Sequence, residues 1–174
     1  FANALVALGC TAAEMTWKLG IDAVSFGGTK NGCMGVEAVV IFDKSKNQEF
    51  EYRRKRGAHL FSKHRYLAAQ MQGYLQDGLW LDLARTANER MARLARGLGQ
   101  IPGVTFSTEP HANMLFPRLP RAMHRRLMAQ GAYYYLYDGT LEDGPDEAPI
   151  TCRLVCDWSV TDATIDRFLS VARD

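Results

Sequence analysis

Several things are scarce in this chain of 174 residues. Cysteine occurs four times, too few for a disulfide scaffold. Cys152 and Cys156 lie four apart in a stretch that reads as a strand, which puts both sulfurs on one face. No second Cys or His pair with zinc-ligand spacing accompanies them, so free, buried thiols in a reducing cytoplasm are the expectation. Charge of one sign is also missing. With 21 basic and 19 acidic residues the formal net charge is +2, which gives no broad positive field and excludes nucleic acid as the main partner. No run approaches the roughly 18 consecutive apolar residues of a membrane helix, so no membrane partner is expected. A nucleotide-type phosphate loop, a dinucleotide fingerprint and a Gly-x-Ser-x-Gly turn are all absent. None of His59, His64, His111 and His124 sits in a triad pattern, and each reads as a surface or packing residue.

What is present suits a packed globular protein. Hydrophobic residues make up 47%, with 15 Gly and 6 Pro, which argues against a disordered or fibrous chain. The length suits one ordinary domain, or one with a small appendage. The first residue is Phe1 rather than Met, with no charged segment or cleavage site before it. The chain is therefore read as the C-terminal part of something longer.

The pattern along the chain alternates. Residues 1–9 read as the end of a helix closed by Gly9, and Thr11 with Glu14 forms a capping box opening a short helix that Gly20 stops. Residues 21–26 read as a short strand running into the polar turn Gly27-Gly28-Thr29-Lys30-Asn31-Gly32. The apolar run at 36–42 reads as a buried strand. Residues 47–99 look helical, the best segment being 79–98, where Trp80, Leu83, Ala84, Ala87, Met91, Leu94, Ala95 and Leu98 form one apolar stripe. Its arginines are expected to be a solvated face. After the break at 99–103 come short strands at 104–107, 113–116, 132–137 and 151–155. A helix at 120–131 and a last helix capped by Thr161 or Ser159 complete a small α+β unit. Residues 138–149, with five acids, read as a surface loop.

Of the six lysines, only Lys30 follows a strand and a Gly-Gly pair. Glycines let a ligand approach the backbone closely, and strand ends are where α/β proteins bind ligands. A lysine held there can lose its proton and attack a carbonyl. Thr29 and Ser25 add hydroxyls that can face an anion such as a phosphate. The competing reading is a plain turn with Lys30 exposed. Upstream of the long helix, residues 52–65 concentrate Arg53, Arg54, Lys55, Arg56, Lys63 and Arg65; such a cluster is usually solvated but can neutralise a phosphate.

The segment Asp22-Ala-Val-Ser-Phe-Gly-Gly-Thr-Lys30-Asn-Gly-Cys-Met-Gly-Val-Glu-Ala-Val-Val-Ile-Phe-Asp43 resembles the cofactor-lysine region of low-specificity threonine aldolases. These are pyridoxal-phosphate enzymes of the aspartate-aminotransferase fold. Residues 1–9 are similar to the piece that follows the family's Asp-Gly-Ala-Arg signature, and residues 65–70, 75–80 and 152–158 fit in family order. The resemblance implies an α/β fold. Residues 1–100 would be the C-terminal part of the cofactor-binding large domain, and residues 101–174 a small α+β domain.

It also implies roles. Lys30 would hold pyridoxal 5'-phosphate covalently, and Thr29 would lie beside its phosphate. Lys63, or Arg65, would fall near a basic position that reaches a neighbouring subunit's phosphate, and Arg153 would grip the substrate carboxylate. The ring's aspartate, its stacking histidine and the Gly-Thr phosphate site would precede Phe1, as would the base. The implied reaction cleaves threonine or allo-threonine to glycine and an aldehyde, in a cytoplasmic homodimer or homotetramer. The alternatives are an inactive fragment, or a lyase of the same cofactor acting by β-elimination or on phenylserine-like substrates.

Overall fold

A computed structural model describes residues 1–174. By contacts the chain divides into two compact units, Phe1–Ala84 and Arg85–Asp174, with the division inside the long helix.

The first unit opens with helix α1 (Ala2–Leu8), closed by Gly9 at φ 64°. The Thr11–Glu14 box forms in both directions: Thr11 N–H donates to Glu14 Oε2 at 2.9 Å and Glu14 N–H to Thr11 Oγ1 at 3.2 Å. What it opens is a run of turns ending in one 3-10 turn at Trp17–Leu19, not a full helix. Strands β1 (Ala23–Gly27) and β2 (Glu37–Ile41) pair antiparallel, from Ala23 opposite Ile41 to Gly27 opposite Glu37. β2 is a strand as expected, but not a buried one: Val39 and Val40 are 51% and 40% exposed. The reason is that the sheet has two strands only, so β2 has one neighbour. Helices α2 (Asn47–Arg56) and α3 (His64–Leu75) follow. Asp77 and Gly78, both at positive φ, then turn the chain into α4 (Leu79–Leu98).

The second unit has the larger core. The stripe on α4 buries Met91, Leu94, Ala95 and Leu98 as the spacing requires. Its arginines are not all merely solvated. Arg90 and Arg93 pair with Asp162, and Arg93 also with Asp166, on the last helix. Strands β3 (Thr105–Phe106), β4 (Met114–Leu115), β5 (Pro117–Pro120), β6 (Tyr135–Leu136) and β7 (Pro149–Val155) are joined by antiparallel pairings. β4 and β5 pair with β7 in one common register, the pairing lapsing at Phe116 and Pro117, where proline has no N–H to donate. The pattern Pro-Arg-Leu-Pro conceals β5, which the sequence does not announce as a strand.

β7 is the organising strand. Ile150, Cys152 and Leu154 face inward, while Thr151, Arg153 and Val155 face the other way. Helices α5 (Arg121–Ala129) and α6 (Asp162–Arg173) pack on the buried face, and Thr161 caps α6 by accepting the Thr164 N–H. Cys152 and Cys156 are buried free thiols, as expected, pushed up to about 12 and about 11 by burial. Residues 138–148 do form a loop, with Pro149 already in β7, but the loop is fastened. Asp138 takes the Thr151 N–H and hydroxyl, and Arg121 and Arg125 bind the carbonyls of Thr140, Pro145 and Leu141.

His124 of α5 is fully buried, and burial lowers its pKa while its contact with the Ile150 carbonyl raises it in part. Such a histidine binds its proton more readily unfolded than folded. Its stability contribution is therefore complete above the ordinary histidine value of about 6.5 and is lost as pH falls below it. Urea unfolding at about pH 7.5 and about pH 5.5 should show the wild type weakened at the lower pH, with a smaller loss in His124→Gln.

Candidate active site

Lys30 stands in a turn that both strands of the β1–β2 hairpin close. Gly28 N–H donates to Val36 O at 2.9 Å, while Asn31 N–H and Cys33 N–H both reach Gly28 O at 3.0 Å. Thr29 acts as a clasp: its hydroxyl accepts the Val36 N–H at 3.0 Å and donates to Val36 O at 3.3 Å. Its one proton is directed at Val36 in this structure. Gly28 is buried, and a Cβ there would lie 2.7 Å from Cys33 Sγ and 3.1 Å from Val36 Cγ1. Close packing, rather than an unusual φ, is what demands glycine at this position.

The turn is bolted to the helices beside it. Asn31 is buried, and its amide nitrogen donates to Tyr74 Oη at 2.6 Å and to Trp80 O at 2.9 Å. Gln70 of α3 accepts the Gly35 N–H at 3.0 Å. Beneath the strand, Phe26 packs edge-on against Phe1 and Trp80, with ring centroids 5.8 and 5.4 Å away, and tilted against Tyr74. On this fixed base Lys30 is exposed and its ammonium makes no hydrogen bond or ion pair within the chain. Ser25 is exposed on β1.

β2, α2, α3 and the connection between the helices line a cavity of about 1110 Å³, its wall carrying Thr29, Arg53, Arg54, His59, His64 and Arg65. Arg53 is paired with Glu49 at 2.6 Å, and Arg65 lies over the Tyr66 ring. Arg54 Nε is buried with no acceptor. A buried donor left unpaired costs on the order of 1–3 kcal/mol, so an anion in this cavity would satisfy it. Lys63 is exposed at the start of α3 and is not part of the wall. Of the two basic candidates, it is Arg65 that faces the cavity.

Arg153 belongs to the second unit and is described there alone. It lies at the middle of β7 on the face opposite Cys152, half-buried, with its guanidinium 5.3 Å from the centroid of the Tyr135 ring on β6. Within the chain it makes no hydrogen bond or ion pair, so its planar fork is open to a carboxylate. Asn31 and Tyr135 were not singled out by the sequence. An asparagine among glycines reads as a solvated turn residue, and a tyrosine in Tyr-Tyr-Tyr-Leu-Tyr is indistinguishable from its neighbours until register puts it beside Arg153.

The chain belongs to the β-eliminating lyase family, whose model matches residues 1–119. It is 38% identical over 174 residues to a protein of Pseudomonas aeruginosa named low specificity L-threonine aldolase, a match covering 100% of this chain and 47% of that protein. The chain spans about half the length of the curated relatives it matches. Its fold is that of the solved Leishmania major threonine aldolase, with a TM-score of 0.84 at 24% identity over 98% of this chain and 48% of that one. A structure of SPT holding pyridoxal phosphate shares the fold more distantly, with a TM-score of 0.51 at 17% identity over 95% and 42% of the two chains.

Gly28→Ala should cost about 1–3 kcal/mol of stability through overpacking, read as a lower midpoint in chemical denaturation. Adding Cys33→Ala to that variant, which removes the nearest clashing atom, should recover part of the loss.

Proposed function

We propose that the protein of which this chain is part is a pyridoxal-phosphate-dependent aldolase. In this reading it cleaves the Cα–Cβ bond of threonine or allo-threonine, giving glycine and an aldehyde. The observation that carries the reading is Lys30: an exposed amine without a partner, on a turn that Thr29, Asn31 and Gly28 hold fixed. The family and the fold supply the cofactor class. Within the chain the residues fit it, since the free amine can bond a carbonyl and the orphaned Arg54 Nε in a basic wall can take a phosphate oxygen. Arg65 and Lys63 are the further candidates for that charge. Thr29 serves by clasping the turn.

The chain's own contributions follow from their chemistry. Lys30 acts as a nucleophile through the lone pair of its unprotonated amine. Arg153 offers two parallel N–H donors to a carboxylate, and the Tyr135 ring beside it limits the directions in which the guanidinium can turn. Holding the carboxylate fixes rotation about the amino acid's Cα and so selects which of its bonds is labile. The cofactor, when bound, supplies the electron sink for the broken bond.

In the same reading residues 1–100 are part of a cofactor-binding large domain and residues 101–174 a small domain. The protein is a cytoplasmic homo-oligomer, a setting in keeping with four free cysteines. The family's description favours one second reading, β-elimination. Measuring glycine with aldehyde against pyruvate, from threonine and from serine, separates the two. Borohydride reduction of the holoenzyme followed by peptide mapping should find the cofactor fixed on Lys30. Lys30→Ala should abolish that adduct and lower turnover by at least about a thousandfold, on the scale of losing a covalent catalyst. Turnover at the wild-type rate in that variant sinks the assignment.

A further inference from the structure

The second unit holds a fully buried histidine that no step above uses. His124 has one partner for each ring nitrogen: Nδ1 is 2.9 Å from Tyr134 Oη, and Nε2 is 3.0 Å from Ile150 O. A carbonyl oxygen only accepts, so Nε2 carries the proton. In the neutral ring Nδ1 then only accepts, so the Tyr134 hydroxyl must donate. The direction of the relay is fixed throughout: Tyr134 O–H to His124, and His124 N–H to β7.

The relay crosses a weak point. β6 is two residues long, with Tyr135 opposite Arg153 and Leu136 opposite Cys152, too short to hold its own register firmly. Its far end is secured by Tyr137 N–H on Thr151 O at 2.7 Å and by the Asp138 carboxylate on Thr151. At its near end the side-chain tie to β7 is Tyr134, through His124. Tyr134 points inward to that histidine; the next residue, Tyr135, points outward and carries Arg153 over its ring.

We propose that Tyr134 and His124 are positioning residues for Arg153. The relay pins the near end of β6 to β7, keeps the Tyr135 ring beside the guanidinium, and so holds the fork open toward a carboxylate. This rests on the reading of Arg153 as the carboxylate-binding residue, and the experiment separates failure of one from failure of the other.

In the holoenzyme, Tyr134→Phe keeps the ring, with its packing against Phe168, and removes only the hydroxyl. KM for the amino-acid substrate should rise roughly three- to tenfold, the scale of one buried hydrogen bond, with kcat changed less. Binding of glycine should weaken by the same factor, while binding of glycinamide, which has the amine but no carboxylate, should not. In an Arg153→Ala background the added Tyr134→Phe should change neither. Equal weakening of glycine and glycinamide, or full additivity with Arg153→Ala, overturns the positioning role. If Arg153→Ala weakens glycine and Tyr134→Phe does not, the positioning role alone falls. If Arg153→Ala leaves glycine binding unchanged, the carboxylate reading falls and takes this one with it.

Discussion

The first unit hangs on one side-chain amide. Asn31 is buried immediately after the one lysine that chemistry singles out, and both of its N–H bonds are spent on tertiary partners, Tyr74 Oη and Trp80 O. Burying an amide is favourable only when its hydrogen bonds are made, so the glycine turn takes this shape only when α3 and the start of α4 are in place. The aromatic cluster around Phe26 supplies the apolar part of the same attachment. A flexible, glycine-rich segment thereby becomes a rigid mount for a mobile side chain. Lys30 keeps its own freedom because the residues on either side of it have given up theirs.

The second unit solves a similar problem with a strand. In β7 the period of two puts Ile150, Cys152 and Leu154 into the core and leaves Arg153 on the opposite face, so burial of three neighbours fixes the direction of the fourth. The thiol of Cys152, held protonated by burial, is inert filling. The charge one residue away is free to act. Two adjacent residues thus divide structure from chemistry by alternation alone.

Much of this was legible in the sequence. The stripe on α4, the αL glycine after α1, the Thr161 cap and the Gly-Gly turn before Lys30 each follow from local periodicity or a residue's own backbone preference. What escaped was set by partners far along the chain. Nothing local reveals that β2 has one neighbouring strand, so an apolar run at 36–42 reads as buried when Val39 and Val40 are open. Prolines at both ends hid β5, and the arginines on α4 read as solvated because Asp162 and Asp166 lie on another helix. Asn31 and Tyr135 share that difficulty, since each acquires its meaning from a contact and not from its neighbours in sequence.

The single register that β4 and β5 share with β7 bears on how this fold tolerates change in chain length. The segment 114–120 presents Leu115, Pro117 and Leu119 to the core from two pieces separated by one interruption. Inserting or deleting one residue at that interruption would leave one piece in phase and turn the other over, driving Arg118 inward or Leu119 out. The loop at 138–148 carries no such phase, because it lies between β6 and β7 and is not itself a paired strand. Over evolutionary time the acidic loop is where length can vary, while the short proline-broken segment beside it must keep its count.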